Sequence, residues 1–99
     1  MNVLLVPSAQ EEFLEALDHY AEAGPSLGLR FKEETARCIQ WIAVHHEHFR
    51  LRTGGYRRIN LKVFPYYLPF IVRGETLWGL AVAHASRMPE YWIERQPGI

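Results

Sequence analysis

The chain has 99 residues, of which 48% are hydrophobic and 22% are charged, a composition typical of one compact domain with a single core. This length excludes a multidomain enzyme. No apolar run approaches the ~20 residues of a membrane span, and no signal-peptide pattern opens the sequence, so we expect a cytoplasmic protein. Cys38 is the only cysteine, which excludes an intrachain disulfide and any zinc site built from paired cysteines.

The formal net charge of zero conceals an asymmetry between the two halves of the chain. Residues 1–49 hold eight acidic and three basic residues, a net charge of −5, and residues 50–99 hold eight basic and three acidic residues, a net charge of +5. We expect the second half to face any anionic partner, although an ordinary solvated surface explains the same composition.

The first predicted element is a short strand. Residues 2–6 form an apolar run that stops at Pro7, a pattern typical of a strand buried on both faces. Ser8 and Glu11 have the spacing of a capping box, in which each side chain pairs with the backbone N–H of the other residue. This spacing predicts that a helix starts at Ala9.

Two amphipathic helices follow. In the first, apolar residues recur at helical spacing from Phe13, acidic residues such as Glu12 point elsewhere, and Gly24 with the proline after it ends the helix. A second apolar stripe runs from about Ser26 to the histidines at 45 and 46. The two helices are expected to form an antiparallel hairpin that covers an apolar surface of the second half.

One group of histidines could be interpreted as a metal site. Histidines at 45, 46 and 48 follow one another at the end of the second helix, where they complement the helix dipole. No carboxylate arrangement fixes a third ligand, so we expect neither a metal nor a cofactor. Cys38 lies on the apolar stripe and is expected to be a small buried residue.

The hydrophobic period changes from about 3.6 to about 2 residues at residue 57. Residues 57–63 predict a half-covered strand with one cationic face, after a loop over 47–55. Further strands over 66–72 and 76–84 complete a three-stranded antiparallel meander. Pro69 is unusual inside a strand because it lacks an N–H donor, and it belongs at an edge or a bulge.

The end of the chain is expected to return to the domain. Pro89 ends the strand region, and residues 90–95 predict one helical turn. Tyr91 and Trp92 lie in that turn, where they are expected to pack as anchors for the tail.

Several stretches of the sequence resemble a single family. They are Glu12-Phe13 with Tyr20, Phe31, Gly55-Tyr56-Arg57-Arg58, Phe64-Pro65-Tyr66-Tyr67, and the closing run His84-Ala85-Ser86-Arg87-Met88-Pro89-Glu90-Tyr91-Trp92. With the order of the elements, they resemble the RelE/ParE toxin superfamily of bacterial type II toxin–antitoxin modules, which includes plasmid stabilisation proteins. The resemblance implies one α+β domain over residues 1–99, in which the helix hairpin packs on one face of a twisted sheet.

The resemblance implies a toxin that a cognate antitoxin neutralises in a hetero-oligomer, and it leaves two modes of growth inhibition open. RelE-like members cleave mRNA in the ribosomal A site. ParE-like members block DNA gyrase without any known nuclease chemistry. The site residues must therefore decide between them.

Cleavage of RNA through its 2′-hydroxyl needs a base, cations for the phosphorane charge and a proton donor for the leaving oxygen. The resemblance places Arg58 and Arg87 where RelE-like enzymes carry a lysine and a catalytic arginine. Asn60 and Tyr67 stand where those enzymes carry another lysine and a further arginine. His84 is the substitute base, because histidine titrates near neutral pH. If the chain is a nuclease, the candidate catalytic residues are Arg58, Lys62, His84 and Arg87.

The two missing cations favour a toxin that acts by binding, because one such cation is worth several kcal/mol of barrier at a phosphoryl-transfer site. The residues expected to contact the target are Arg57, Arg58, Tyr67, Arg87, Tyr91 and Trp92.

Simpler roles remain open for these side chains. Arg57 and Arg58 are equally explained as solvated or antitoxin-facing residues, Lys62 as a solubilising residue of an edge strand, and His84 as a structural residue. Arg87 has Glu90 three residues later as an ion-pair partner. A third alternative is a degenerate, non-toxic member that keeps only its antitoxin-binding surface.

Overall fold

Two helices and a mixed sheet make up the fold, and the computed structural model describes residues 1–97. The strands are β1 (Asn2–Leu5), β2 (Arg57–Asn60), β3 (Tyr66–Arg73), β4 (Thr76–Gly79) and β5 (Ala83–His84). The helices are α1 (Pro7–Ala23) and α2 (Pro25–His45), with short 3₁₀ turns at His46–His48 and Ile93–Arg95. Within residues 1–97, no helix is long and apolar enough to cross a membrane.

The strands lie in the order β1-β4-β3-β2, and β5 pairs with β3 beyond the end of β4. The pairs β2–β3 and β3–β4 are antiparallel, which confirms the predicted meander, and β1 pairs with β4 in parallel. The sheet therefore has β1 at one edge and β2 at the other, and the predicted α+β class is confirmed.

Two predictions at the start of the chain are wrong. Strand β1 is an edge strand in which Leu4 is exposed, so it is not buried on both faces. Helix α1 begins at Pro7 rather than Ala9, and within the described residues its N-terminus has no side-chain cap. The N–H groups of Ala9 and Gln10 donate to the carbonyl of Val6. Pro7 fits the first turn, because an N–H at that position would have no partner within the helix.

The predicted second helix and the hairpin are confirmed. Gly24 alone separates α1 from α2, and the helices approach so closely that a Cβ on Gly28 would lie 2.9 Å from the Cα of Ala21. Cys38 is buried, as predicted, in the core between α2 and the sheet. At the centre of that core, the ring of Phe31 lies 5.2 Å from the ring of Phe64.

The predicted strand over 76–84 is interrupted by a bulge. Three residues, 80–82, lie opposite two residues of β3, 68 and 69. The N–H of Leu80 donates to the carbonyl of Pro69 over 2.8 Å, so the missing N–H of that proline faces the bulge. Pro69 is accepted in a central strand because the neighbouring ladder is already broken there.

Strand β2 is shorter than predicted. It ends at Asn60, and Val63 is 63% exposed, because the chain turns at residues 61–65 to form β3. The tail prediction is confirmed, since Trp92 is 1% exposed and its ring centroid lies 4.6 Å from that of Tyr56. The helical turn itself covers Ile93–Arg95.

Candidate functional site

Three of the predicted site residues line one cleft of about 240 Å³. Arg58 comes from β2, Tyr67 from the paired strand β3, and Arg87 from the turn after β5. The cleft is completed by Asn60, Leu61, Pro65, Tyr66, Ala85 and Pro89. Its formal charge is positive, because both of its charged side chains are arginines.

The guanidinium of Arg58 lies over an aromatic floor. Its Cζ atom is 4.5 Å from the centroid of the Tyr67 ring, within the range of a cation–π contact. The Nε atom of Arg58 is buried and has no hydrogen-bond partner among residues 1–97. The other end of this guanidinium is therefore the part that can meet an anionic group.

Tyr67 and Trp92 hold each other below the surface. The indole N–H of Trp92 donates to the Tyr67 hydroxyl over 3.1 Å, and both residues are buried. In this conformation they offer a partner little surface, and the packing role expected for Trp92 is the one observed. They fix the position of Arg58 from beneath.

Arg87 is more exposed than Arg58. Its Cζ atom lies 3.8 Å from the centroid of the Tyr91 ring, and its Nη1 atom lies 3.4 Å from Oε2 of Glu12. Among the described residues, Arg87 pairs with Glu12 and not with the alternative partner Glu90. Glu90 adopts the left-handed backbone region with φ of 61°, and its carboxylate instead accepts from the Tyr56 hydroxyl over 2.7 Å.

Glu12 is the residue that the sequence reasoning missed. Its carboxylate lies beside the bulge and accepts from the N–H of Val82 over 3.1 Å and from the Tyr91 hydroxyl over 2.6 Å. Arg95 binds both carboxylate oxygens. Burial raises the pKa of the Tyr91 hydroxyl well above its usual range, and the bond to Glu12 and the carboxylate charge raise it further. Helical periodicity assigned Glu12 to the solvent face, because nothing local shows that the tail covers it.

His84 is held by its own turn. Its Nδ1 atom accepts from the Ser86 N–H over 3.0 Å and lies 2.7 Å from Oγ of Ser86. Because a backbone N–H can only donate, the neutral ring carries its proton on Nε2. The ring packs edge-on against Tyr66 with the centroids 5.0 Å apart, and it does not line the cleft of the two arginines.

Lys62 lies in a second groove of about 820 Å³, between α2 and the β2 edge of the sheet. Among the described residues, Arg58 is the charged side chain that lines both the groove and the cleft. The walls of the groove include Trp41 and Val63, which are largely exposed apolar residues, and Arg37 also lines it. The backbone N–H groups of Lys62 and Val63 donate to the buried carboxylate of Glu34, which fixes the turn after β2.

Arg57 lines neither the cleft nor the groove. Its Nε atom donates to the carbonyl of Phe49 over 2.8 Å, which ties β2 to the preceding loop. The ring of His45 packs against the ring of Trp41 at a tilt of 37°, with the centroids 4.2 Å apart. Among residues 1–97, no three His, Cys, Asp or Glu side chains are grouped so that they could hold a metal ion.

Comparison with known proteins gives one family and one fold. A family model described as the ParE toxin of the type II toxin–antitoxin system parDE matches residues 3–89. A solved structure titled "Chromosomal ParDE TA system from P. aeruginosa" is similar at a TM-score of 0.76 and 20% identity, over 87% of this chain and 97% of that chain. The comparison with curated protein sequences gives no match.

Proposed function

This chain belongs to the ParE toxin family of type II toxin–antitoxin systems, and we propose that it acts by binding its target, of the DNA gyrase class, rather than by cutting RNA. In this proposal Arg58 and Arg87 contact an anionic surface of the target. Tyr91 supports Arg87 from beside it, and the buried pair of Tyr67 and Trp92 supports Arg58 from below.

The composition of the cleft is the observation that carries this proposal. None of the described residues that line it is a histidine, lysine, aspartate or glutamate. A nuclease needs a base for the 2′-hydroxyl and a donor for the leaving oxygen within hydrogen-bond reach. His84 is engaged at Nδ1 outside the cleft, and Lys62 lies in the separate groove. Two arginines without a base suit the recognition of an anionic surface.

We further propose that the groove beside β2 receives the cognate antitoxin in the cytoplasm. Trp41 and Val63 offer apolar contact area, and Arg37 and Lys62 lie beside them as cations. An amphipathic segment with apolar and acidic residues complements both features. Because Arg58 lines the groove and the cleft, an antitoxin seated there also reaches a residue of the target-binding site.

The test is induced expression in a bacterial host, with DNA synthesis and protein synthesis followed separately by pulse labelling. The proposal predicts that DNA synthesis stops first, and that Arg58→Gln and Arg87→Gln each relieve the inhibition. Arg30→Gln is the matched control, because Arg30 is exposed on α2 and lines neither the cleft nor the groove.

Other outcomes would assign other functions. Early loss of protein synthesis with cleavage of A-site codons would identify a ribosome-dependent mRNA endonuclease. Unchanged growth, together with retained antitoxin binding, would identify a degenerate member that is no longer toxic.

For the antitoxin site, Trp41→Ala should weaken the complex between toxin and antitoxin, whereas Leu14→Ala on the exposed face of α1 should not.

A further inference from the structure

Glu12, Arg87 and Arg95 form a charged cluster beside the cleft. Arg95 donates from Nη1 to Oε1 of Glu12 over 2.9 Å and from Nη2 to Oε2 over 3.2 Å, a two-point geometry that suits a carboxylate. Arg87 reaches the same carboxylate through Nη1 alone, 3.4 Å from Oε2. The two arginines therefore bind Glu12 unequally.

The exposure of the three side chains follows the same order. The Glu12 side chain is 12% exposed, that of Arg95 is 25% exposed and that of Arg87 is 54% exposed. Two positive charges share one negative charge, and the firmer pair is the more buried one. The uncompensated charge of the cluster therefore resides on Arg87, at the surface.

We propose that Arg95 is a positioning residue, which occupies Glu12 and so keeps the charge of Arg87 available to an anionic surface. This inference rests on the proposed function in assigning Arg87 a partner. Without Arg95, the carboxylate is left in a largely buried place with one cation in reach. Arg87 then closes on Glu12 and its charge is neutralised.

Tyr91 gives Arg87 a second point of support. The centroid of the Tyr91 ring lies 3.8 Å from Cζ of Arg87 and 5.1 Å from Cζ of Arg95, so the ring contacts both guanidinium groups. The aromatic contact holds Arg87 even when the carboxylate is removed. Arg95 and Tyr91 both lie beyond residues 3–89, which the family model matches.

A purely structural role for Arg95 makes a different prediction. If Arg95 only fastens the tail to α1, then loss of Glu12 and loss of Arg95 each loosen the tail, and the double variant is at least as impaired as either single one. If Arg95 keeps Arg87 free, removal of Glu12 as well reverses the effect of losing Arg95. The double variant Glu12→Gln/Arg95→Gln therefore separates the two roles.

The first readout is the rate at which phenylglyoxal, an arginine reagent, modifies Arg87, followed by peptide mass spectrometry with Arg30 as the internal reference. Arg95→Gln should lower this rate severalfold, Arg95→Lys should leave it near that of the native protein, and Glu12→Gln/Arg95→Gln should restore it. An unchanged or raised rate in Arg95→Gln would overturn the inference. So would failure of the double variant to recover while thermal unfolding shows that it is folded.

The second readout is affinity for the proposed target, DNA gyrase. Arg95→Gln and Arg87→Gln should each weaken binding about tenfold, and the double variant Glu12→Gln/Arg95→Gln should regain most of the loss caused by Arg95→Gln. If Arg87→Gln itself leaves binding unchanged while the phenylglyoxal pattern holds, the assignment of Arg87 to target binding fails and the role of Arg95 stands. If the phenylglyoxal pattern is absent, the role of Arg95 is rejected whatever the affinities are.

Discussion

The indole N–H of Trp92 donates to the hydroxyl of Tyr67 over 3.1 Å in a buried contact between the tail and the central strand β3. The Tyr67 ring in turn lies beneath the guanidinium of Arg58. A residue of the tail thus supports the floor of a cleft formed by β2, β3 and the turn after β5. The tail is part of the site and not an appendage to it.

Tyr67→Phe tests this support. The variant leaves the Trp92 N–H buried without an acceptor, so we expect the free energy of unfolding to fall by about 1–3 kcal/mol in urea titrations. We also expect Tyr67→Phe to relieve growth inhibition in part. The ring beneath Arg58 remains in this variant, but the hydrogen bond from Trp92 that holds the ring in place is lost. An unchanged urea midpoint would show that the bond contributes nothing.

Glu90 combines an unfavourable backbone conformation with a favourable side-chain contact. Its φ of 61° is unfavourable for most residues but tolerated by asparagine, and its carboxylate accepts from Tyr56. In the native background, Glu90→Asn should therefore have a small net effect, since relief of strain offsets a lost bond. In the Tyr56→Phe background the same change should stabilise the protein by about 1 kcal/mol. Destabilisation in both backgrounds would contradict the assignment of strain.

Glu34 is a buried carboxylate whose neighbour supplies a control. It accepts from two backbone N–H groups of the turn after β2, and its removal leaves both without a partner. We expect Glu34→Ala to lower the free energy of unfolding by about 2–3 kcal/mol and Glu33→Ala, on the exposed face of α2, to change it by less than about 0.5 kcal/mol. Equal effects would mean that the turn does not depend on this carboxylate.

Alkaline pH should destabilise the fold through Tyr91. Its pKa is raised above the ordinary value of 10.0 by burial first and by Glu12 second. Because the folded pKa exceeds the unfolded one, this contribution is fully present below the unfolded pKa and is lost as the pH rises through the folded pKa. Urea midpoints should fall as the pH rises above about 10, and less steeply in Tyr91→Phe. An equal fall in both proteins would assign the effect to other tyrosines.

Local patterns predicted the elements of this fold, the helix hairpin and the meander, but not the exposure of β1 or the position of the bulge. The stripe through Phe31 and Cys38 identified α2, because helical periodicity depends only on near neighbours in sequence. The exposure of β1 was missed, because an apolar run does not reveal whether a strand lies at an edge. The position of the bulge at residues 80–82 could not be predicted either, although Pro69 indicated that the ladder of hydrogen bonds is broken nearby.

The site was half predictable for the same reason. Arg58 and Arg87 were identified from the resemblance, and the structure brings them to one cleft. Glu12 was assigned to solvent because its contacts with Tyr91 and Arg95 join residues about eighty positions apart. Such contacts depend on how the tail returns, and no periodicity in the sequence encodes that.

The most direct measurement is DNA supercoiling by purified gyrase in the presence of the purified toxin, with ribosome-bound mRNA tested in parallel for cleavage. We predict that supercoiling is inhibited, that Arg87→Gln needs about tenfold more protein for the same inhibition, that Arg30→Gln matches the native protein, and that the mRNA stays intact. Unimpaired supercoiling together with cleavage of the mRNA in the ribosomal A site would contradict a toxin that acts by binding.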